Sequence, residues 1–167
     1  MRIIISDSSA LIDLRKGLIL ELFLKLPFEF VIPDALIESE LLSFTKKEIN
    51  LLKKQMSVAT LDGQDVEKAQ SIVSAVPALS MIDGFALVVA EKYPGCILLT
   101  GDRRMRLKAE ETNIECHGVL WIVEELAKMQ SISSKILLST LKTWRDDPYV
   151  RLPQSEIEGL ISLVKSR

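Results

Sequence analysis

Ile3-Ile4-Ile5-Ser6-Asp7 and Cys96-Ile97-Leu98-Leu99-Thr100-Gly101-Asp102 are the stretches whose reading decides the fold. Each is a short run of β-branched and apolar residues that stops at an aspartate. A run with no polar alternation is buried on both faces, as strands of a parallel sheet are. Each aspartate is therefore expected where a buried strand opens at its C-terminal edge, the edge at which open α/β sheets place their sites.

Further strand-like segments stand at Phe28 to Ile32, Ser57 to Leu61 and Ile114 to His117, with helix-period stretches between them. Such alternation predicts an α/β protein with a parallel sheet. Helices are expected over Ser8 to Leu14, Leu18 to Leu26, Asp34 to Ser43, Lys46 to Lys54 with Thr45 as N-cap, Asp65 to Ser74, and Ser80 to Tyr93 ahead of Pro94-Gly95. After a further helix over Val119 to Met129 the pattern turns to helices alone, Ser134 to Trp144 and Pro153 to Lys165. The second of these opens on Ser155-Glu156-Ile157-Glu158, which has capping-box spacing.

A chain of 167 residues, 48% hydrophobic and 26% charged, suits one well-buried soluble core. Its apolar runs are broken by charges well before the roughly 20 residues a membrane span needs. Asp7 comes too early for a secretory leader, so a cytoplasmic protein is expected. The two cysteines, Cys96 and Cys116, each fall in a predicted strand and read as buried reduced thiols. Net charge is −2, which excludes a protein that grips nucleic acid with its whole surface. Local patches must carry any such role: Arg103-Arg104-Met105-Arg106-Leu107-Lys108 directly after Asp102, and the pair Lys46-Lys47.

Four carboxylates attract chemistry: Asp7, Asp83, Asp102, and Glu40 or Glu38. Singly, each has a plain structural role. Asp7 can cap a helix, Asp83 completes Ser80-x-x-Asp83 at a helix start, and Thr100 can satisfy its own turn. Glu38 and Glu40 lie about 200° apart around a helix, so only one can face a given site. Together, like charges at one sheet edge are costly unless a cation compensates. With a single histidine, His117, and no thiol nucleophile, the set points to Mg²⁺ or Mn²⁺ and phosphoryl chemistry.

The ordered motifs Ile5-Ser6-Asp7-Ser8-Ser9-Ala10-Leu11-Ile12, Val31-Ile32-Pro33-Asp34-Ala35-Leu36-Ile37-Glu38-Ser39-Glu40-Leu41, Ile82-Asp83-Gly84-Phe85-Ala86-Leu87 and Leu98-Leu99-Thr100-Gly101-Asp102 resemble the PIN-domain nucleases, in particular VapC-like toxins or a related uncharacterised PIN subfamily with a helical C-terminal extension. The resemblance implies a Rossmann-like three-layer α/β/α sandwich over residues 1–128, with residues 129–167 as a helical extension packed on that domain or on a second copy. It also implies Mg²⁺- or Mn²⁺-dependent hydrolysis of single-stranded RNA by a toxin that is commonly dimeric and silenced by an antitoxin. Carried over by residue, Asp7, Asp83 and Asp102 match the acidic positions; Glu40 is the favoured glutamate, with Glu38 as the alternative. Ser9 and Thr100 would orient these acids, and Arg103 or Arg106, three apart on one helix face, would hold the RNA phosphate.

The competing reading is a non-catalytic PIN-like module that binds a protein or RNA without cutting. A phosphate-binding or receiver domain fits less well. The chain has no Gly-x-Gly-x-x-Gly or P-loop, and Asp7 lacks the paired acid a receiver would carry.

Overall fold

Ile4, Ile5, Ile97, Leu98 and Leu99 are fully buried, so the two decisive runs form central strands. A computed structural model of the chain describes residues 2–166. In chain order its elements are β1 (Ile3–Ser6), α1 (Ser8–Lys16), α2 (Leu20–Phe23), β2 (Glu29–Pro33), α3 (Asp34–Ser39), α4 (Lys46–Gln55), β3 (Ser57–Ala59), α5 (Gly63–Ala75), α6 (Met81–Lys92), β4 (Ile97–Leu99), α7 (Arg103–Glu111), β5 (Glu115–His117), α8 (Val119–Lys128), α9 (Ser134–Asp146) and α10 (Gln154–Lys165). The strands form a parallel sheet in the order β3-β2-β1-β4-β5. Ile5 pairs with Val31 on one side and Leu98 on the other, which makes β1 the centre of the sheet. The chain builds outward from β1 through β2 to β3 and then returns to β1's other side with β4. That reversal puts a topological switch point between the exits of β1 and β4. This is the α/β class with a parallel sheet and flanking helices expected from the strand–helix alternation.

The chain divides into two compact units. One runs up to Ser9 and continues from Pro27 to His117, and it holds the whole sheet. Within it α6 packs along β1, β2 and β4, and α5 packs on α6. Gly84 permits that helix pair its close approach, because a Cβ there would stand 3.1 Å from Val73 and 3.2 Å from the Ala69 carbonyl. The other unit gathers Ala10–Leu26 with the chain from Gly118 onward. In it α10 packs on α9 and α8, and Trp144 is fully buried with its indole N–H donating to the Asp13 carbonyl at 2.8 Å.

Two helices end three or more residues short of the sequence reading. The helix expected over Leu18 to Leu26 is only the single turn Leu20–Phe23, and α3 stops at Ser39, four residues short of Ser43. Glu40 is the C-cap of α3, and its N–H closes on the Leu36 carbonyl. The helix expected over Pro153 to Lys165 is α10, but the capping box expected at Ser155 does not form: Pro153 is the N-cap, with no side-chain cap. Proline's fixed φ already sets the entry to the first turn, and that leaves Ser155 inside it.

Candidate active site

Residues that leave the sheet at its C-terminal edge are brought together by the pairing of β1 with β4. The Asp7 N–H donates to the Leu99 carbonyl at 3.1 Å, which extends the ladder one residue past the end of β1. Asp7 is 3% exposed, so its carboxylate needs close polar partners. Ser9 Oγ donates to Asp7 Oδ1 at 3.0 Å, and the buried Thr100 hydroxyl donates to Oδ2. Thr100 Oγ1 in turn accepts from the Asp102 N–H at 3.1 Å. Asp7, Thr100 and Asp102 therefore form one relay across two adjacent strand exits. Ser9 and Thr100, expected as orienting residues, both contact Asp7.

Asp102 is the N-cap of α7, and its Oδ1 accepts from the backbone N–H groups of Arg104 at 2.7 Å and Met105 at 3.0 Å. Glu40 is half-buried, and its Oε2 accepts from the Ser8 hydroxyl, beside Asp7 in the chain. Glu38 is exposed. Ser8 carries no signal of this role in the sequence. Its pairing with Glu40 spans 32 residues and depends on β1 lying next to β2, for which no local motif exists.

Asp83 stands in the first turn of α6. Because α6 leads straight into β4, it runs antiparallel to that strand, and its N-terminus lies at the same C-terminal edge. Its Oδ2 accepts from the Ser80 N–H at 2.8 Å and the Ser80 hydroxyl at 2.9 Å, the reciprocal capping box read from the sequence. Among the described residues no hydrogen bond links Asp83 to the other three acids, and no three His, Cys, Asp or Glu side chains are gathered tightly enough to hold a metal ion. The donor chemistry nonetheless fits a hard divalent cation, being oxygen throughout. Asp102, Asp83 and Glu40 each commit one carboxylate oxygen to an internal hydrogen bond and leave the other without a protein donor among the described residues.

Of the arginines after Asp102, Arg103 and Arg104 are exposed. Arg106 is half-buried, and its Nη2 donates to the Thr100 carbonyl at 3.1 Å, which holds the guanidinium at the strand exit. His117 lies at the end of β5 with its Nε2 2.8 Å from Glu115 Oε1. Glu115 is itself held below the usual carboxylate range by Arg2 and then by His117. Burial pushes the Cys116 thiol up to about 11 and raises that of Cys96, so neither offers a thiolate nucleophile near neutral pH. A cavity of about 390 Å³ lined by Tyr93, Pro94, Cys96 and Asn113 lies where β4 and β5 begin, at the opposite edge from the carboxylates.

Among the described residues no helix is long and apolar enough to cross a membrane. No curated protein matches the chain. A family model described as DUF3368, a PIN domain, matches residues 3–166. A parallel sheet with acids at its C-terminal edge and a match across almost the whole length together assign the chain: it belongs to the PIN-domain family, whose fold is that of nucleases.

Proposed function

We propose that this protein is a Mg²⁺- or Mn²⁺-dependent endoribonuclease acting on single-stranded RNA, and that it serves as the VapC-like toxin of a toxin–antitoxin pair in the cytoplasm. The observation that carries the reading is the Asp7–Thr100–Asp102 relay at the β1/β4 switch point, with the buried Asp7 carboxylate at one end and the buried Thr100 hydroxyl at its centre. Asp7, Asp83, Asp102 and Glu40 would hold the cation. When bound, Mg²⁺ or Mn²⁺ supplies charge neutralisation and an acidified water for attack on the phosphodiester. Ser9 and Thr100 keep the Asp7 carboxylate in one orientation. Arg106, anchored at the Thr100 carbonyl, and Arg103, one turn away on the same helix, grip the phosphate beside the acids. Residues 1–128 form the nuclease part and 129–167 a helical extension. A homodimer silenced by an antitoxin completes the proposal.

One feature favours a second reading, a PIN-like module that binds protein or RNA without cutting: among the described residues no three of the acids are gathered tightly enough to hold a metal ion. Incubating a mixed RNA pool with wild type and Asp7→Asn, in Mn²⁺ or Mg²⁺ and in EDTA, separates the two. Cleavage by wild type with metal alone, abolished in Asp7→Asn, is expected. RNA left intact under every condition would sink the nuclease and leave the binding module.

A further inference from the structure

Helix α4 carries Lys46, Lys47, Lys53 and Lys54, all exposed. At 100° per residue these four and Asn50 fill one arc of about 120° that contains no acid. The core-facing Leu52 lies on the far side, and Glu48, the helix's only acid, is turned back to accept from the Thr45 N–H at 2.7 Å and hydroxyl at 2.9 Å. Among the described residues none of the four lysines is ion-paired; Lys25, Lys135, Lys142 and Lys165 are unpaired too, but only in α4 do four such lysines share one arc, while Lys16, Lys68, Lys92, Lys108 and Lys128 each reach a carboxylate. In a chain of net charge −2, an uncompensated arc of this kind is a local exception.

Its place in the fold gives it a direction. α4 packs on the outermost strand β3 and leads into it, so Lys46 and Lys47 lie toward the C-terminal edge and Lys53 and Lys54 about 10.5 Å further along the helix. Thr45 follows Glu40 by five residues, at most about 18 Å of chain. On the other side of the acids, Arg106 stands at the exit of β4, about 14 Å from β3 by three strand spacings. The acidic edge is thus bracketed by cations on both sides.

We propose that the α4 lysine arc is a phosphate track for single-stranded nucleic acid, which crosses the sheet edge from α7 over the carboxylates and then runs along α4. The identity of the polyanion rests on the nuclease reading. Binding needs no cutting, so the two can fail separately.

The test measures anisotropy of a fluorescein-labelled oligouridylate, long enough to span both elements, in EDTA across a salt series. It compares wild type with the Lys46→Gln, Lys47→Gln, Lys53→Gln, Lys54→Gln variant and with the matching four-arginine variant. Removing one lysine–phosphate pairing should lower the log–log salt slope by about 0.7, so a fall of about 1.4 to 2.8 is expected for two to four pairings, with the slope retained in the arginine variant. With metal, the glutamine variant should cut a short RNA confined to the carboxylate edge as wild type does, and a long RNA more slowly. Equal slopes for wild type and the glutamine variant would overturn the track, as would no binding by wild type at low salt. Failure of wild type to cut either RNA, with the slope difference intact, would overturn the nuclease reading and leave the track standing.

Discussion

The Thr100 hydroxyl donates to Asp7 while its oxygen accepts from the Asp102 N–H, so one side chain fixes the relation between the exits of β1 and β4. Asp7 sits 3% exposed, and a donor removed there cannot be replaced readily by bulk water. Thr100→Val keeps the shape and removes the hydroxyl. It should lower thermal stability by about 1–3 kcal/mol, the cost of a buried acceptor left short of a partner. RNA cleavage should fall more than stability alone explains, and Thr100→Ser should restore it. Melting curves and cleavage rates measured together check this; a Thr100→Val protein as active as wild type would remove the relay from the mechanism.

Glu40 and Glu38 separate cleanly. Glu40 is half-buried and receives the Ser8 hydroxyl, whereas Glu38 points to solvent. Glu40→Ala should abolish cleavage and remove the rise in melting temperature that Mn²⁺ binding to the folded state produces. Glu38→Ala should change stability by no more than about 0.5 kcal/mol and leave cleavage intact. Reversed outcomes would move the glutamate's role to Glu38.

How far the site is legible in the sequence follows from the range of each interaction. Asp83 with Ser80, and Thr45 with Glu48, are contacts three residues apart, and their spacing alone announces them. The strands are legible because Ile3-Ile4-Ile5 and Ile97-Leu98-Leu99 are apolar without alternation, the mark of strands covered on both faces. Ser8 with Glu40, and Arg106 with the Thr100 carbonyl, are not legible. The first depends on which strands become neighbours, and the second on a side-chain rotamer that the sequence does not encode locally. The end of α3 is obscured because Leu41 and Leu42 continue a helical apolar pattern, although Leu42 is 81% exposed and only Leu41 enters the core.

The turn after α1 makes an opposed pair of predictions. Leu18 adopts φ +59°, its N–H bonds to the Arg15 carbonyl at 3.0 Å, and the Ile19 N–H bonds to Leu14 at 3.1 Å, the pattern of a Schellman C-cap. Glycine usually fills the left-handed position, yet here it stands one residue earlier. Gly17 is needed where it is, because a Cβ there would lie 2.8 Å from Thr140 and from the Trp144 indole. Gly17→Ala should therefore destabilise by about 1–3 kcal/mol through overpacking. Leu18→Gly should stabilise by about 0.5–1 kcal/mol, since it relieves the left-handed strain and Leu18, 84% exposed, gives up little packing. Urea denaturation of both variants checks the pair, and equal signs would refute it.

Asp13 makes the last prediction, on pH. Burial pushes its carboxyl up to about 6, opposed by Lys16 and reinforced by Asp147. An acid whose folded pKa lies above its unfolded value of about 3.9 binds its proton more tightly in the native state. Its contribution to stability is then fully present below about pH 4 and disappears as pH rises through about 6. Asp13→Asn, neutral at every pH, should be more stable than wild type at pH 7.5, and the difference should shrink steadily as pH falls from 6 to 4. Because Lys16 also lies 3.6 Å from Asp147, the neutral variant leaves that pair in place and isolates the Asp13 charge. Urea midpoints across this range would decide it: a gap between the two proteins that stays constant with pH would show that Asp13 titrates as it does in the unfolded chain.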